Sequence, residues 1–217
     1  MKSILIYGAG GHAKAVIDVI EKAGECRVTG LLDRIKPPGT NVYGYQVLGN
    51  ENDLAVDESV QGLIVAIGDN WLRAEVAMAI RSIRPDLPFI TAIHPNASVA
   101  RGAEIGEGSV VMAGAVVNSD TRIGKHCILY TLASVDHDSS VGDFVSFAPH
   151  AATGGGVSIG AYTALGIGAK IIHSVSIGEH TVVGAGANVL SPIADYSVAY
   201  GTPAREIRAR KAGERYL

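Results

Sequence analysis

The chain has 217 residues, 47% of them hydrophobic, enough to bury the core of one large domain or of two small ones. A formal charge of −3 argues against nucleic acid or an anionic membrane as the main partner, since either would call for a basic face. Aromatic residues are scarce at 6% while glycines number 27, a balance that suits a narrow, repetitive cross-section better than a bulky aromatic core.

In chain order, Ser3–Tyr7 is a short apolar run ended by Gly8-Ala9-Gly10-Gly11, which suits a buried parallel strand entering a tight turn. Met1–Tyr7 is too short for a signal peptide and lacks a cleavage site. Val16, Val19, Ile20 and Ala23 then recur at helical spacing, with Gly24 as the stop. Arg27–Leu32 reads as a second strand ending at Asp33, and Gly62–Ile67 as another ending at Gly68. Leu72, Val76, Ala79, Ile80 and Ile83 line one face of a second helix. Strands alternating with helices over residues 1–90 imply a small parallel sheet, a truncated Rossmann-like α/β domain. No apolar run approaches the roughly 20 residues of a membrane span. Cys26 and Cys127 match no metal spacing and are expected as free thiols in a reducing cytoplasm.

From residue 91 the period changes to six. Stepping from Ile93 through Val99 and Ile105 to Val189, sixteen of seventeen positions are apolar, and Thr153 is the exception. Six-residue steps walk around a helix, so this is no helical pattern. It predicts a left-handed parallel β-helix over 91–195, a triangular coil with one short strand per side, the aliphatic residue pointing inward, and about 4.8 Å between coils. Gly106, Gly124, Gly142, Gly160 and Gly178 recur every 18 residues, so they stack at one corner. Residues 196–217 are left as a C-terminal tail. Thr153 lies two residues before Gly155 and is where a local distortion is expected.

Two stretches carry chemistry. His137 stands between Asp136 and Asp138. A neutral imidazole can take a proton from an amine or hydroxyl, and a nearby carboxylate raises its basicity. The plain alternative is an exposed surface histidine. Gly154-Gly155-Gly156 could offer backbone N–H groups to an oxyanion, or could simply be a corner that needs glycine. At the N-terminus, the loop at 8–13 follows a strand and opens a helix, where free N–H groups and the helix dipole favour phosphate. With Asp33 20 residues after Ala13 it approaches the dinucleotide fingerprint. Only about 90 residues precede the β-helix, however, too few for the usual six-stranded sheet and a hydride-transfer site. A phosphate-bearing ligand other than NAD is expected.

The repeat resembles that of the hexapeptide acyltransferases. The markers GAGGHAK at 8–14, LLD at 31–33, AIGDN at 66–70, VDHDSSVGDF at 135–144 and GTPAR at 201–205 resemble one branch closely. These are the bacterial sugar O/N-acetyltransferases acting on sialic acids or on nucleotide-linked 4-amino sugars. The resemblance implies a homotrimer with active sites between subunits, acetyl-CoA as co-substrate and no metal. It implies His137 as general base and Asp138 as its acidic partner. Gly155 becomes a donor to the thioester carbonyl, and Ile167 and Ala185 contacts to pantetheine. Gly10, Gly11 and His12 become the diphosphate loop, Asp33 a base or ribose contact, and Gly68 part of the same pocket. Family members often carry a second histidine nine residues after the base. Here Ser146 stands in that place, able to hydrogen-bond a pantetheine amide, while His150 replaces a usual glycine.

The expected reaction is acetyl transfer to the amine of a nucleotide-linked, UDP in the first instance, 4-amino-4,6-dideoxy sugar. Sialic acid O-acetylation is the nearest alternative, and a non-catalytic assembly module a more distant one. A zinc hydratase is also weighed, because His137 and His173 are two coils apart. That chemistry needs a His-x-x-x-x-His pair, and no two histidines here are five apart.

Overall fold

The computed structural model describes residues 1–55 and 59–216. The first unit contains β1 (Lys2–Tyr7), α1 (Gly11–Ala23), β2 (Cys26–Leu32), β3 (Asn41–Val42), β4 (Tyr45–Gly49), β5 (Leu63–Val65) and α2 (Asn70–Ile83). The sheet order is β3-β4-β2-β1-β5, parallel throughout except for the β3–β4 hairpin. The apolar run of β1 is buried on both faces, so it occupies the interior of the sheet. α1 buries Val16, Val19 and Ile20 as its period requires and stops at Gly24, whose φ of 69° costs glycine nothing.

α2 departs from expectation in its face. Arg73, Ala74, Val76, Ala77 and Ile80 point inward, whereas Leu72 is 40% exposed. The buried face thus includes a charged residue, Arg73, outside the expected row.

The second unit is a left-handed β-helix of two-residue strands. A first face runs through the strands at 92–93, 110–111, 128–129, 146–147, 164–165 and 182–183, a second through 98–99 to 188–189, and a third through 104–105 to 176–177. Pairings between these two-residue strands are parallel and offset by 18 residues. Val111 to Val189 of the aliphatic row form one continuous core together with a second inward row two residues earlier, including Ala115, Cys127, Ala133 and Val145. Ile93 and Val99, by contrast, are 37% and 38% exposed, because no earlier coil covers the start of the prism. The glycine column is explained by close approach. A Cβ at Gly106, Gly124 or Gly142 would lie 2.6 Å from backbone of the next coil.

Residues 196–216 are not separate from the helix. Ser197–Gly201 pairs in parallel with 182–183 and so adds to the first face, and Ala204–Ala209 folds back on it antiparallel. GTPAR forms the turn of this hairpin.

The two units share a core. Ala92, Val110, Met112 and Ile128 of the first face pack with Ile4, Ile17 and Ala66 of the N-terminal unit. Beside this core, Arg73 is fully buried and donates five hydrogen bonds: to the carbonyls of Ile67, Gly68, His126 and Phe144 and to Asn70 Oδ1. Every N–H of its guanidinium fork is used. Asn70 in turn donates to the carbonyls of Tyr162 and Thr163. A corner column of aromatic rings, His126, Phe144, Tyr162, His180 and Tyr196, stacks coil upon coil beneath α2, with neighbouring planes within 13° of parallel.

Candidate functional site

Three cavities contain the residues singled out in the sequence. The first, about 380 Å³, is bounded by the loop after β1 and by Asp33 and Gly68. Gly10, Gly11 and His12 all line it, so the glycine loop, the end of β2 and the end of β5 converge as their positions at the strand C-termini dictate. Gly8 at the loop entrance has φ 113°, and a Cβ there would lie 2.7 Å from the carbonyl oxygen of Ala66. Gly10 and Gly11 have open space above them, as a loop that receives a ligand needs. Asp33 lines the cavity and also holds the protein itself: its carboxylate accepts hydrogen bonds from the N–H groups of Ala9, Ile35 and Lys36 at 2.8–2.9 Å. It fixes the loop beside the cavity.

The second cavity, about 410 Å³, lies along the first face below α2. Ser146, Ile167 and Ala185 line it, with Ile167 61% exposed at its outer end. Gly68 is the one residue it shares with the first cavity. Tyr130 stands at that junction, its ring 5.3 Å from His12 and its hydroxyl 3.3 Å from where a Gly68 Cβ would be. Both ring nitrogens of His12 are buried without a hydrogen-bond partner among the described residues, and burial with the nearby Arg73 charge lowers its pKa to about 4. Tyr130 and Tyr216 are among the lining residues missed in the sequence, and neither sits in a motif that would have flagged it.

The third cavity, about 560 Å³, lies on the corner between the second and third faces and holds His137, Asp138, Gly154, Gly155, Gly156 and His173. His137 Nδ1 lies 2.7 Å from Asp138 Oδ2. With the carboxylate holding Nδ1–H, Nε2 is left bare and able to accept a proton. The hydrogen bond to Asp138, then the charge of Asp136, raise the histidine above its ordinary pKa. Asp136 accepts from the His137 N–H at 2.9 Å and from Asn118 Nδ2 at 2.7 Å. Thr121 Oγ1 donates to the Asp136 carbonyl and accepts from Ser139 N, gripping both ends of the turn. The imidazole lies directly over Gly155, where a Cβ would stand 2.7 Å from Nε2.

The expected distortion is found at Thr153. Of the two residue pairs that join neighbouring strands elsewhere on the second face, only Ser134–Ala152 is kept here. The Asp136 N–H turns from the Thr153 carbonyl to its Oγ1, at 3.3 Å. A polar residue in the aliphatic row thus re-aims the backbone that carries His137. Among the described residues no group of three or more His, Cys, Asp or Glu could hold a metal ion, and no helix is long and apolar enough to cross a membrane.

His137 and the first two cavities are not brought together within one chain. Ile167 and Ala185 occupy the corner between the first and second faces, and His137 the next corner along, one six-residue face away, at most roughly 20 Å. His150 sits on the corner that carries Ile167, in the left-handed conformation with φ 60°, as do the other residues at that turn position.

A glycine-loop domain whose cavity shares a wall with one along a β-helix fits the acyltransferase class that the repeat resembles, and the comparisons with known proteins agree with it. Residues 3–80 match the PglD N-terminal domain family. The chain is similar to an alanine mutant of GDP-perosamine N-acetyltransferase from Caulobacter crescentus in complex with CoA and GDP-perosamine. Identity is 38%, the TM-score 0.90, and the match covers 96% of this chain and 98% of that one. It is likewise similar to the acetyltransferase domain of PglB from Neisseria gonorrhoeae FA1090 in complex with acetyl coenzyme A. There identity is 31% and the TM-score 0.88, over 95% of this chain and 99% of that one. UDP-N-acetylbacillosamine N-acetyltransferase from Bacillus subtilis (strain 168) is 36% identical over 117 residues, 52% of each protein, so the match spans about half of that curated relative. The chain belongs to the hexapeptide-repeat sugar N-acetyltransferases, a family of acetyl-CoA-dependent enzymes that act on nucleotide-linked amino sugars.

Proposed function

We propose that this chain moves an acetyl group from acetyl-CoA to the amine of a nucleotide-linked 4-amino-4,6-dideoxy sugar. The observation that carries the reading is that a cavity lined by a glycine loop and an elongated one along the β-helix share Gly68 as a wall. In the first cavity the free N–H groups at the start of α1 meet the diphosphate. In the second, the apolar walls around Ile167 and Ala185 take pantetheine, and Ser146 offers a hydroxyl to one of its amides.

His137 acts from a neighbouring copy. Within one chain it stands a full prism face from the acyl cavity, and packing of prism corners in a homotrimer would set it against the next subunit's junction. The neutral sugar amine attacks the thioester carbonyl, forming the N–C bond. His137 Nε2 takes the amine proton, and Asp138 stabilises the imidazolium. The N–H of Gly155, beneath the ring, donates to the oxyanion. Collapse breaks the C–S bond, and the thiolate of CoA leaves. Neither cysteine takes part: Cys127 is in the prism core, where burial pushes its thiol up to about 12, and Cys26 lies in the other unit.

Two measurements test the reading. Thiol release is followed with UDP- and GDP-linked 4-amino sugars and with sialic acid; turnover with the amino sugars only is expected, the UDP-linked one leading, and turnover with sialic acid alone would overturn it. Mixing His137→Ala subunits with subunits disabled in the glycine loop (Gly11→Asp) should restore part of the activity. Absence of any restoration in a proven mixed trimer would show that His137 works within its own chain.

A further inference from the structure

The acyl cavity has two unlike ends. Its outer end is formed by corner residues such as Ile167 and Ala185, and its inner end by Gly68, Tyr130, Ser146 and Tyr216. Three of these four belong to β5's loop or the first face. Tyr216 arrives from the far end of the sequence. After the terminal hairpin, Arg210 anchors the chain to the aromatic corner, its N–H donating to the Tyr196 carbonyl and its Nη1 to the His180 carbonyl. Lys211 and Glu214 close a turn, reinforced by the Lys211 N–H on Glu214 Oε2 at 3.0 Å. Gly213 passes over the Trp71 indole so tightly that a Cβ would lie 3.1 Å from its nitrogen. The segment thereby doubles back and delivers the Tyr216 ring into the cavity.

The ring is fixed from three sides. Its hydroxyl accepts from the Asn70 N–H at 3.3 Å, at the first turn of α2. It lies 3.5 Å from Ser146 Oγ on the first face. The Arg210 guanidinium sits 5.7 Å from the ring centroid. An aromatic wall held this way is a rigid boundary, unlike the open corner at the other end.

We propose that Tyr216 sets the size of the acyl group the enzyme transfers. The inference rests on reading this cavity as the acyl-CoA site. A donor whose pantetheine lies along Ile167 and Ala185 must point its acyl carbon toward Gly68, because only there does the cavity meet the one that holds the acceptor. The acyl methyl then faces Tyr130 and Tyr216. Tyr130 is locked from behind by His12, so Tyr216 is the wall whose removal enlarges the end of the cavity. One methylene in a tight apolar pocket typically changes selectivity about 10- to 200-fold, so two extra methylenes should be rejected strongly by the native protein.

The experiment compares kcat/KM for butyryl-CoA and acetyl-CoA in the native protein, Tyr216→Phe and Tyr216→Ala. Because both donors are assayed on the same preparation, the ratio does not depend on the fraction folded. Tyr216→Ala should raise the butyryl-to-acetyl ratio roughly tenfold or more, while Tyr216→Phe, which keeps the ring, should leave the ratio near the native value. A ratio unchanged in Tyr216→Ala would overturn the proposal. If that variant does not fold, Tyr216→Leu carries the same comparison with an intermediate rise expected, and an unchanged ratio there overturns the proposal equally. Calorimetric titration of acetyl-CoA into the native protein and Ile167→Asp separates this from the underlying reading. Native binding lost in Ile167→Asp upholds the site, whereas equal binding would show that the cavity itself was misassigned.

Discussion

Two corners of the same prism, built by the same repeat, have opposite fates. At the corner carrying His126, Phe144, Tyr162 and His180, rings stack under α2 and are sealed by Arg73 and Asn70. At the corner carrying Asp138 and Gly156, the side chains of His137 and Asp138 are 60% and 68% exposed. The turns share a left-handed residue every 18 positions, so backbone geometry does not separate them. What differs is the neighbour. Covered by a domain, a corner becomes a structural column of flat rings; left bare, it can keep charged groups and glycines where a substrate and a second subunit can reach them.

The largest effect should come from the open corner. His137→Ala should lower turnover about 10²- to 10⁴-fold, the usual worth of general base catalysis, or about 3–5 kcal/mol of barrier, while titration shows acetyl-CoA binding retained. Near-native turnover would remove the functional half of the comparison.

The sealed corner should answer in stability. Arg73→Met leaves the carbonyl of buried His126, those of half-buried Ile67, Gly68 and Phe144, and Asn70 without their donor. An unsatisfied buried group costs about 1–3 kcal/mol, and partial relaxation should leave a net loss of about 3 kcal/mol in denaturant unfolding. A loss under 1 kcal/mol would mean that the seam is held by its apolar core alone.

The sealed corner should also respond to acid. His126 is buried, and desolvation with the nearby Arg73 charge lowers its pKa to about 4 against an ordinary value near 6.5. The unfolded chain therefore binds the proton first. Stability is complete above about pH 6.5 and is lost as pH falls toward 4, by up to about 3 kcal/mol from this residue. Thermal melts from pH 7 to 4 should show the loss, and His126→Phe should make it shallower, leaving the share of His12, whose pKa is likewise lowered to about 4; an unaltered slope would contradict the assignment.

The smallest effect separates position from charge at the open corner. Since the bond to Asp138 is the first cause of His137's raised pKa, Asp138→Asn should move the acid limb of the rate profile to lower pH, because the base then stays neutral further into acid. A limb that does not move would mean that Asp138 only orients the ring.

Much of this is legible in the sequence, and unevenly so. The six-residue period requires one inward residue per side, which is why faces, core row and glycine column follow from spacing alone. The glycine loop, Gly68, Ser146, Ile167 and Ala185 fall in the expected cavities because each sits in a motif at a strand or corner end. Arg73 and the aromatic column were illegible for a common reason: both acquire meaning only when α2 is laid on the prism, and sequence says nothing of that docking. Tyr216 was hidden because its position depends on a chain reversal around Arg210. Asp33 lines the first cavity as its motif implies, and what the sequence did not reveal is that its oxygens also hold three loop N–H groups.

The buried hydroxyls within the prism have a mechanical side. Strands of two residues contain almost nothing that fixes one coil against the next, and a slip of register would turn the core row outward. Ser109, Thr121 and Thr163 each accept an N–H 18 residues on, from Cys127, Ser139 and Thr181, and donate to a carbonyl 15 residues on. Each is a pin driven through two adjacent layers. One of these pins, Thr121, passes through the turn that carries His137, so the layer that must hold its shape for catalysis is also one that cannot slide.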